Sequence, residues 1–255
     1  MFNLKKIEEI ALKAGLAALD IFNKSYNIDY KEDNSPLTQA DLASNEIIVN
    51  ELKKLYPNIM IISEENKQIE YEKRKDEEYI FMIDPLDGTK EFINKSKEWT
   101  INIALLHKNK PILGVVYAPC LNELFSAYNN ECFYNQKKFN FVENKDDLII
   151  VASKSHLNSK TQDFIASIKS TKNIKIKNFG SSLKICYLAI NKAHIYPRIA
   201  PTMEWDIAAA YAVLINAGGL ILTYPELKEI TFNKQDLLNP DFIAYCNKKI
   251  DEILK

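Results

Sequence analysis

The chain is predicted to be a mixed α/β protein, α+β in its first half and α/β in its second. Two rhythms carry this. Between Trp99 and Tyr128, short apolar runs follow one another with only turn residues between them, which is the pattern of an antiparallel meander. From Leu148 onward, strand-like and helix-like stretches alternate. Length bounds both: 255 residues, 47% hydrophobic and 26% charged, can bury a large core and suit an ordinary globular protein. No linker rich in Pro, Gly or Ser separates the halves, so we place a soft boundary near Lys145, between an N-terminal subdomain 1–145 and a C-terminal subdomain 146–255.

Each element has a local reason. Ile7, Ile10, Ala11, Ala14, Ala18, Ile21 and Phe22 recur at helical spacing and predict one long amphipathic helix. Thr38-Gln39-Ala40-Asp41 has the form of a capping box opening a second helix through about Tyr56. Asp41 thus has a bland role, satisfying a backbone N–H. Ile59 to Ile62 is a short apolar run ending in acid at Ser63-Glu64-Glu65, and the nearly all polar stretch from Asn66 to Glu78 reads as a solvated excursion. Tyr79 to Ile83 is a buried strand. Trp99 to Leu106, Ile112 to Tyr117 and Leu124 to Tyr128 are the meander strands, with turns at Lys108-Asn109-Lys110-Pro111 and Asn129-Asn130. Then follow strand Leu148 to Val151, a helix near Ser159 to Ile168, strand Ile174 to Ile176, a helix from Ser181, and a helix from Trp205 to Ala217.

Chemistry concentrates where strands end. The run through Ile83 stops at Asp84-Pro85-Leu86-Asp87-Gly88-Thr89, where Pro85 removes a backbone donor and Gly88 permits a turn that a side chain would resist. Two carboxylates packed that closely repel unless cations neutralise them, and hard oxygen ligands without nearby Cys or His point to magnesium or manganese. The same residues read equally as an ordinary Asp-Gly turn. Company decides between these readings: Glu64-Glu65 ends another apolar run, and Glu204-Trp205-Asp206 opens a helix.

Phe81 through Phe92 and Trp205 through Gly219 resemble the two signatures of the inositol monophosphatase superfamily of metal-dependent, lithium-sensitive phosphatases. The two lie in the expected order, about 120 residues apart. The resemblance implies the layered α-β-α-β-α sandwich of the inositol monophosphatase and fructose bisphosphatase type, with the site between the halves. It also implies two or three Mg2+ ions held by Glu64, Asp84, the Leu86 carbonyl, Asp87 and Asp206. Glu64 and Thr89 would orient the attacking water, and Asp41 would lie at the edge of the metal cluster. Glu65 is the less certain member of its pair.

Substrate choice rests on the second half. Gly180-Ser181-Ser182-Leu183-Lys184 precedes a helix, where backbone N–H groups and an ammonium can cradle phosphate, and Tyr196-Pro197-Arg198 adds a guanidinium for a second phosphate. A Gly-Ser-Ser run alone is usually just a loop and cap. Together with Pro201-Thr202-x-x-Trp205-Asp206, Ser153-Lys154-Ser155-His156 and Lys90-Glu91, these runs are similar to the superfamily branch called 3'(2'),5'-bisphosphate nucleotidase. That resemblance implies hydrolysis of adenosine 3',5'-bisphosphate to AMP in sulfate assimilation. It places Asp87, Gly88, Thr89, His156, Ser181, Lys184, Arg198 and Asp206 against the nucleotide. Inositol monophosphatase or fructose-1,6-bisphosphatase activity is the alternative within the superfamily. A non-catalytic nucleotide sensor or metal-binding scaffold is the alternative outside it, disfavoured because every acid needed for turnover is present.

Other classes are disfavoured. A haloacid-dehalogenase-type phosphatase spaces its acids Asp-x-Asp, whereas here they are Asp84-x-x-Asp87. A net charge of -1 supplies no field for a nucleic acid polymer. No apolar run approaches the roughly 18 residues of a membrane span, so the expectation is a cytoplasmic enzyme, monomer or homodimer, with loose association at the inner face of the membrane left open. Cys120, Cys132, Cys186 and Cys246 are scattered, which suits free thiols rather than a zinc site.

Overall fold

The computed structural model describes residues 2–24, 28–30, 36–140, 147–153 and 158–247. The expected boundary near Lys145 and the expected site residue His156 lie outside them. Helix α1 (Leu4–Phe22) is capped by Asn3, whose side chain accepts the Lys6 N–H, and it buries Ile7, Ile10, Ala11, Ala14 and Ala18. An antiparallel pair, β1 (Ile28–Tyr30) and β2 (Pro36–Thr38), leads into α2 (Gln39–Leu55). The predicted capping box is there: the Asp41 carboxylate accepts the Thr38 N–H at 2.8 Å, and the Thr38 hydroxyl accepts the Ala40 N–H.

A seven-stranded sheet follows in spatial order β3 (Met60–Ser63), β4 (Tyr79–Asp87), β5 (Thr100–His107), β6 (Lys110–Ala118), β7 (Glu123–Tyr128), β8 (Glu131–Tyr134) and β9 (Lys137–Phe139). Only β3 and β4 pair in parallel; the rest is the predicted meander, two strands longer than expected. Those extra strands close through Asn129-Asn130 and Asn135-Gln136, each with positive φ at both residues, the backbone of a tight hairpin turn. Short helices α3 (Tyr71–Arg74) and α4 (Thr89–Ile93) flank β4. The excursion from Asn66 to Glu78 is not wholly solvated, because Arg74 within it is buried.

The second sheet contains β10 (Asp147–Ser153), β11 (Asn173–Phe179), β12 (Ile195–Arg198), β13 (Leu220–Thr223) and β14 (Phe242–Tyr245), in the order β11-β10-β12-β14-β13. Helices α5 (Ser159–Ser167), α6 (Leu183–Ala189) and α7 (Glu204–Asn216) connect them. Strand β12 was not anticipated, since Pro197 argues against a central strand. Its ladder to β10 registers only Ile150 with Ile195, so Pro197 has no partner to lose on that side.

The layers are α1 and α2, the seven-stranded sheet, α6 and α7, the five-stranded sheet, then α5. Strand β4 shows why its sequence is apolar without alternation: Ile80 and Met82 join the core between the sheets, while Phe81 and Ile83 join the core beneath α1 and α2. Helix α7 is apolar nearly all round because it lies in the middle layer against β4, β5, β6 and β7. Its Ala209 carbonyl sits so close to Gly114 of β6 that a Cβ there would lie 2.1 Å from the oxygen. Among the described residues no helix is long and apolar enough to cross a membrane.

Gly114→Ala is therefore expected to push α7 off the sheet. An overpacked core typically loses about 1–3 kcal/mol, so the urea midpoint should fall; an unchanged midpoint would show that α7 can shift freely.

Candidate active site

A cavity of about 230 Å³ opens between the sheets, and elements from both halves build its walls. Glu64 follows β3, Asp84 and Asp87 lie on β4, and Asp206 is in the first turn of α7. Lys184 comes from the first turn of α6 and Arg198 from β12. Glu65 is not among the lining residues, which separates the members of the Glu64-Glu65 pair.

On the acidic wall, carboxylate oxygens of Glu64, Asp84 and Asp206 all lie within 4.8 Å of one another, a group that could hold a metal ion. Strand β4 does not stop at Asp84 as expected; pairing shifts register between Asp84 and Asp87 and resumes at Asp87 with Thr100. This bulge is where Pro85 cannot donate. Asp84 turns its own oxygen to the Leu86 N–H at 3.0 Å, and Gly88 takes a φ of 93° that releases the chain into α4. Asp206 accepts the Met203 N–H at 2.8 Å, so it does cap its helix, while also facing the cavity. Burial, and then the neighbouring Glu64, Asp87 and Asp206 charges, raise the Asp84 carboxyl well above its ordinary range; burial followed by Asp87 and Glu64 does the same to Asp206.

Asp87 stands outside that triad. Its carboxylate accepts the Ser182 N–H at 2.6 Å, and burial pushes its pKa up to about 6 against the opposing pull of Lys184. The Thr89 hydroxyl lies 3.2 Å from Asp41 Oδ1 and 3.4 Å from the Leu86 carbonyl. Asp41 closes the capping box with one oxygen and reaches Thr89 with the other. Burial raises its pKa, opposed by the Thr38 hydrogen bonds.

The opposite wall is basic. Lys184 and Arg198 were expected in loop or cap settings, but both are buried. Burial lowers the Lys184 pKa to about 8, with Asp87 opposing. Its ammonium donates to the Ser181 carbonyl at 2.6 Å and lies 5.3 Å from the Tyr196 ring centroid. Arg198 donates through Nη2 to the Pro201 carbonyl at 2.7 Å, while its buried Nε has no hydrogen-bond partner among the described residues. The amide cradle expected at Gly180-Ser181-Ser182 is partly committed, because the Gly180 N–H goes to Glu98 and the Ser182 N–H to Asp87. Ser181 lines the cavity with φ of 47°. Tyr196 and Thr202 also line it and were missed as site residues; the period of two between Tyr196 and Arg198 would have found Tyr196 once β12 was recognised as a strand.

A carboxyl whose pKa folding raises holds its proton more tightly in the folded chain, so its stabilising effect is present at low pH and is lost as pH rises through the folded value. For Asp87 that window runs from the ordinary 3.8 to about 6. In chelator, Asp87→Asn, which mimics the protonated carboxyl, is expected to gain thermal stability relative to wild type as pH rises from about 4 to about 6, with no further gain above that. A constant difference across that range would show that Lys184 already compensates the charge.

The comparisons with known proteins agree with this geometry. The family model described as the inositol monophosphatase family matches residues 3–254. A relative from Buchnera aphidicola, "3'(2'),5'-bisphosphate nucleotidase CysQ", is 42% identical over 228 residues, covering 87% of this chain and 84% of that protein. The protein of the same name from Escherichia coli K12 is 35% identical, covering 94% and 98%. The crystal structure of CysQ from Bacteroides thetaiotaomicron, described as a bacterial member of the inositol monophosphatase family, superposes with a TM-score of 0.87 at 36% identity, covering 97% of this chain and 98% of that one. With a matching model along nearly its whole length and relatives of that similarity, the chain belongs to the inositol monophosphatase family.

Proposed function

We propose that the chain is a magnesium-dependent phosphatase that hydrolyses the 3'-phosphate of adenosine 3',5'-bisphosphate, leaving AMP. The observation that carries this reading is the pairing of a triad of acids, Asp84 buried and Glu64 and Asp206 half-buried, with a buried basic wall across one cavity, where Arg198 Nε lacks a partner among the described residues. The nucleotidase names of relatives covering most of the chain support the same substrate.

The acidic wall suits two or three magnesium ions, because oxygens of three carboxylates come within 4.8 Å of one another there and hard cations would neutralise them. Glu64, Asp84, Asp206, Asp87 and the Leu86 carbonyl are the proposed ligands. Bound there, the ions would lower the pKa of a water, polarise the phosphate and stabilise the leaving oxygen. Glu64 and Thr89 orient the attacking water, and Asp41 fixes the Thr89 hydroxyl by accepting from it at 3.2 Å. Gly88, whose φ of 93° keeps the turn compact, and Ser181 approach the nucleotide. Lys184 and Arg198 take the unreacting phosphate, and charge-assisted donors of this kind favour a planar or clustered anion. The division into subdomains 1–145 and 146–255 is proposed with the site between them, and the reaction is assigned to sulfate assimilation in the cytoplasm.

Asp84→Asn is expected to keep the fold and lose most turnover, because one fewer anion holds the metal; wild-type rates in limiting magnesium would overturn the ligand set. Lys184→Ala and Arg198→Ala should each lower kcat/KM on adenosine 3',5'-bisphosphate about ten- to hundredfold, the roughly 1.5–3 kcal/mol of a charged hydrogen bond. Turnover of inositol 1-phosphate, which has no second phosphate, should change much less. Equal losses on both substrates, or a wild type preferring inositol phosphate, would sink the nucleotidase reading and leave the phosphatase intact.

A further inference from the structure

Arg74 is the exception in a charged stretch: it is 2% exposed, at the end of α3, in a segment whose other end carries Glu64. All three of its donor nitrogens are used. Nε donates to the Ile69 carbonyl at 3.1 Å within its own segment, while Nη1 donates to Asn233 Oδ1 at 2.6 Å and Nη2 to the Gln235 carbonyl at 3.1 Å, both in the C-terminal half. Asn233 returns the contact, its side-chain amide donating to the Arg74 carbonyl at 2.9 Å and to Asn109 Oδ1 at 3.0 Å. The Asn233 backbone N–H then donates to Glu204 at 2.5 Å, and Lys234 completes that carboxylate through its N–H and its ammonium. Glu204 is fully buried and is the first residue of α7, two positions before Asp206.

This is one continuous hydrogen-bonded chain from the segment that begins at Glu64 to helix α7, whose first turn carries Asp206. It ties together two arms that bring like charges within 4.8 Å of each other. We infer that Arg74 is a positioning residue that, through Asn233 and Glu204, holds the Asp206 arm at its separation from the Glu64 arm and so sets the affinity of the acidic wall for divalent cations. The inference rests on the metal reading proposed above. A buried charge is not needed for the fold here, since an apolar contact could join the same surfaces; what a guanidinium adds is a fixed, forked geometry.

The test is direct Mn2+ binding, followed by electron paramagnetic resonance without substrate, for wild type, Arg74→Met, Asn233→Ala and the double variant, each shown to be folded by circular dichroism. Groups that orient ligands without touching the ion are typically worth about ten- to hundredfold in metal affinity. Arg74→Met and Asn233→Ala are each expected to weaken Mn2+ by that factor, and the double variant by no more than the worse single one, because they interrupt one chain. A core variant on β7 outside this hydrogen-bonded chain, Phe125→Leu, lowers stability without removing any of its bonds and should bind Mn2+ as wild type does. The inference is overturned if a folded Arg74→Met or Asn233→Ala binds Mn2+ with wild-type affinity, or if Phe125→Leu weakens binding equally. Should Arg74→Met not fold, Asn233→Ala decides alone. A wild type that binds no Mn2+ would instead sink the metal reading, and this inference with it.

Discussion

Carboxylate oxygens of Glu64, Asp84 and Asp206 share a space in which no two lie more than 4.8 Å apart, and much of the remaining architecture can be understood as what it takes to keep them there. At that separation each ionised pair repels by roughly 3–4 kcal/mol for an effective dielectric of 20. Three such pairs rival the whole net stability of a typical domain, about 5–15 kcal/mol. Fully ionised acids without cations would therefore be untenable, and burial first, then the same repulsion, raises the pKa values of Asp84 and Asp206. The chain tolerates it because none of the three acids sits on a free loop tip: Asp84 is within a strand buried on both faces, Asp206 caps a helix packed in the middle layer, and Glu64 follows a strand paired with the first.

Helix α7 is where stability and site meet. Its alanines and the missing side chain at Gly114 let it approach β6 more closely than any larger residues would permit, and its other face packs toward α6 and β13. That tight seating fixes the direction of its first turn. Asp206 inherits its position from apolar packing that starts at Ala209, about one turn further along the helix, with the Met203 N–H as its local anchor. An acid placed this way cannot retreat from its neighbours by a rotamer change without giving up a helix cap.

Much of this was legible in sequence because it was written in short-range patterns. The capping box at Thr38-Asp41, the unbroken apolar run of β4, the meander and the long first helix each follow from periodicity or a local motif, and the acids stood at the ends of those elements. What was not legible depended on distant chain. Strand β12 was hidden by Pro197, which is harmless only because the ladder to β10 has already ended. Arg74 looked like one more exposed charge among Lys73, Lys75 and Asp76, and only residues more than 150 positions later bury it. The amides of Gly180 and Ser182 read as free donors because sequence does not show that Glu98 and Asp87 reach them.

Those committed amides sharpen the chemistry assigned to the basic wall. A phosphate cradle made of backbone N–H groups would be indifferent to which anion it held, since a helix terminus or loop nest recognises charge and little else. Here Asp87 has taken the Ser182 N–H, and among the described residues the buried Arg198 Nε is a donor without a partner. A guanidinium held by Pro201 at one nitrogen has a fixed bearing, so an anion must arrive from one direction to meet it. On the proposed reading that direction is set by the first phosphate at the acids, and the two walls together measure the spacing between the phosphates. Because the acids come from β3, β4 and α7 while the cations come from α6 and β12, that spacing is a property of how the two sheets pack, and selectivity between bisphosphate and monophosphate would be lost by any change that lets the layers slide.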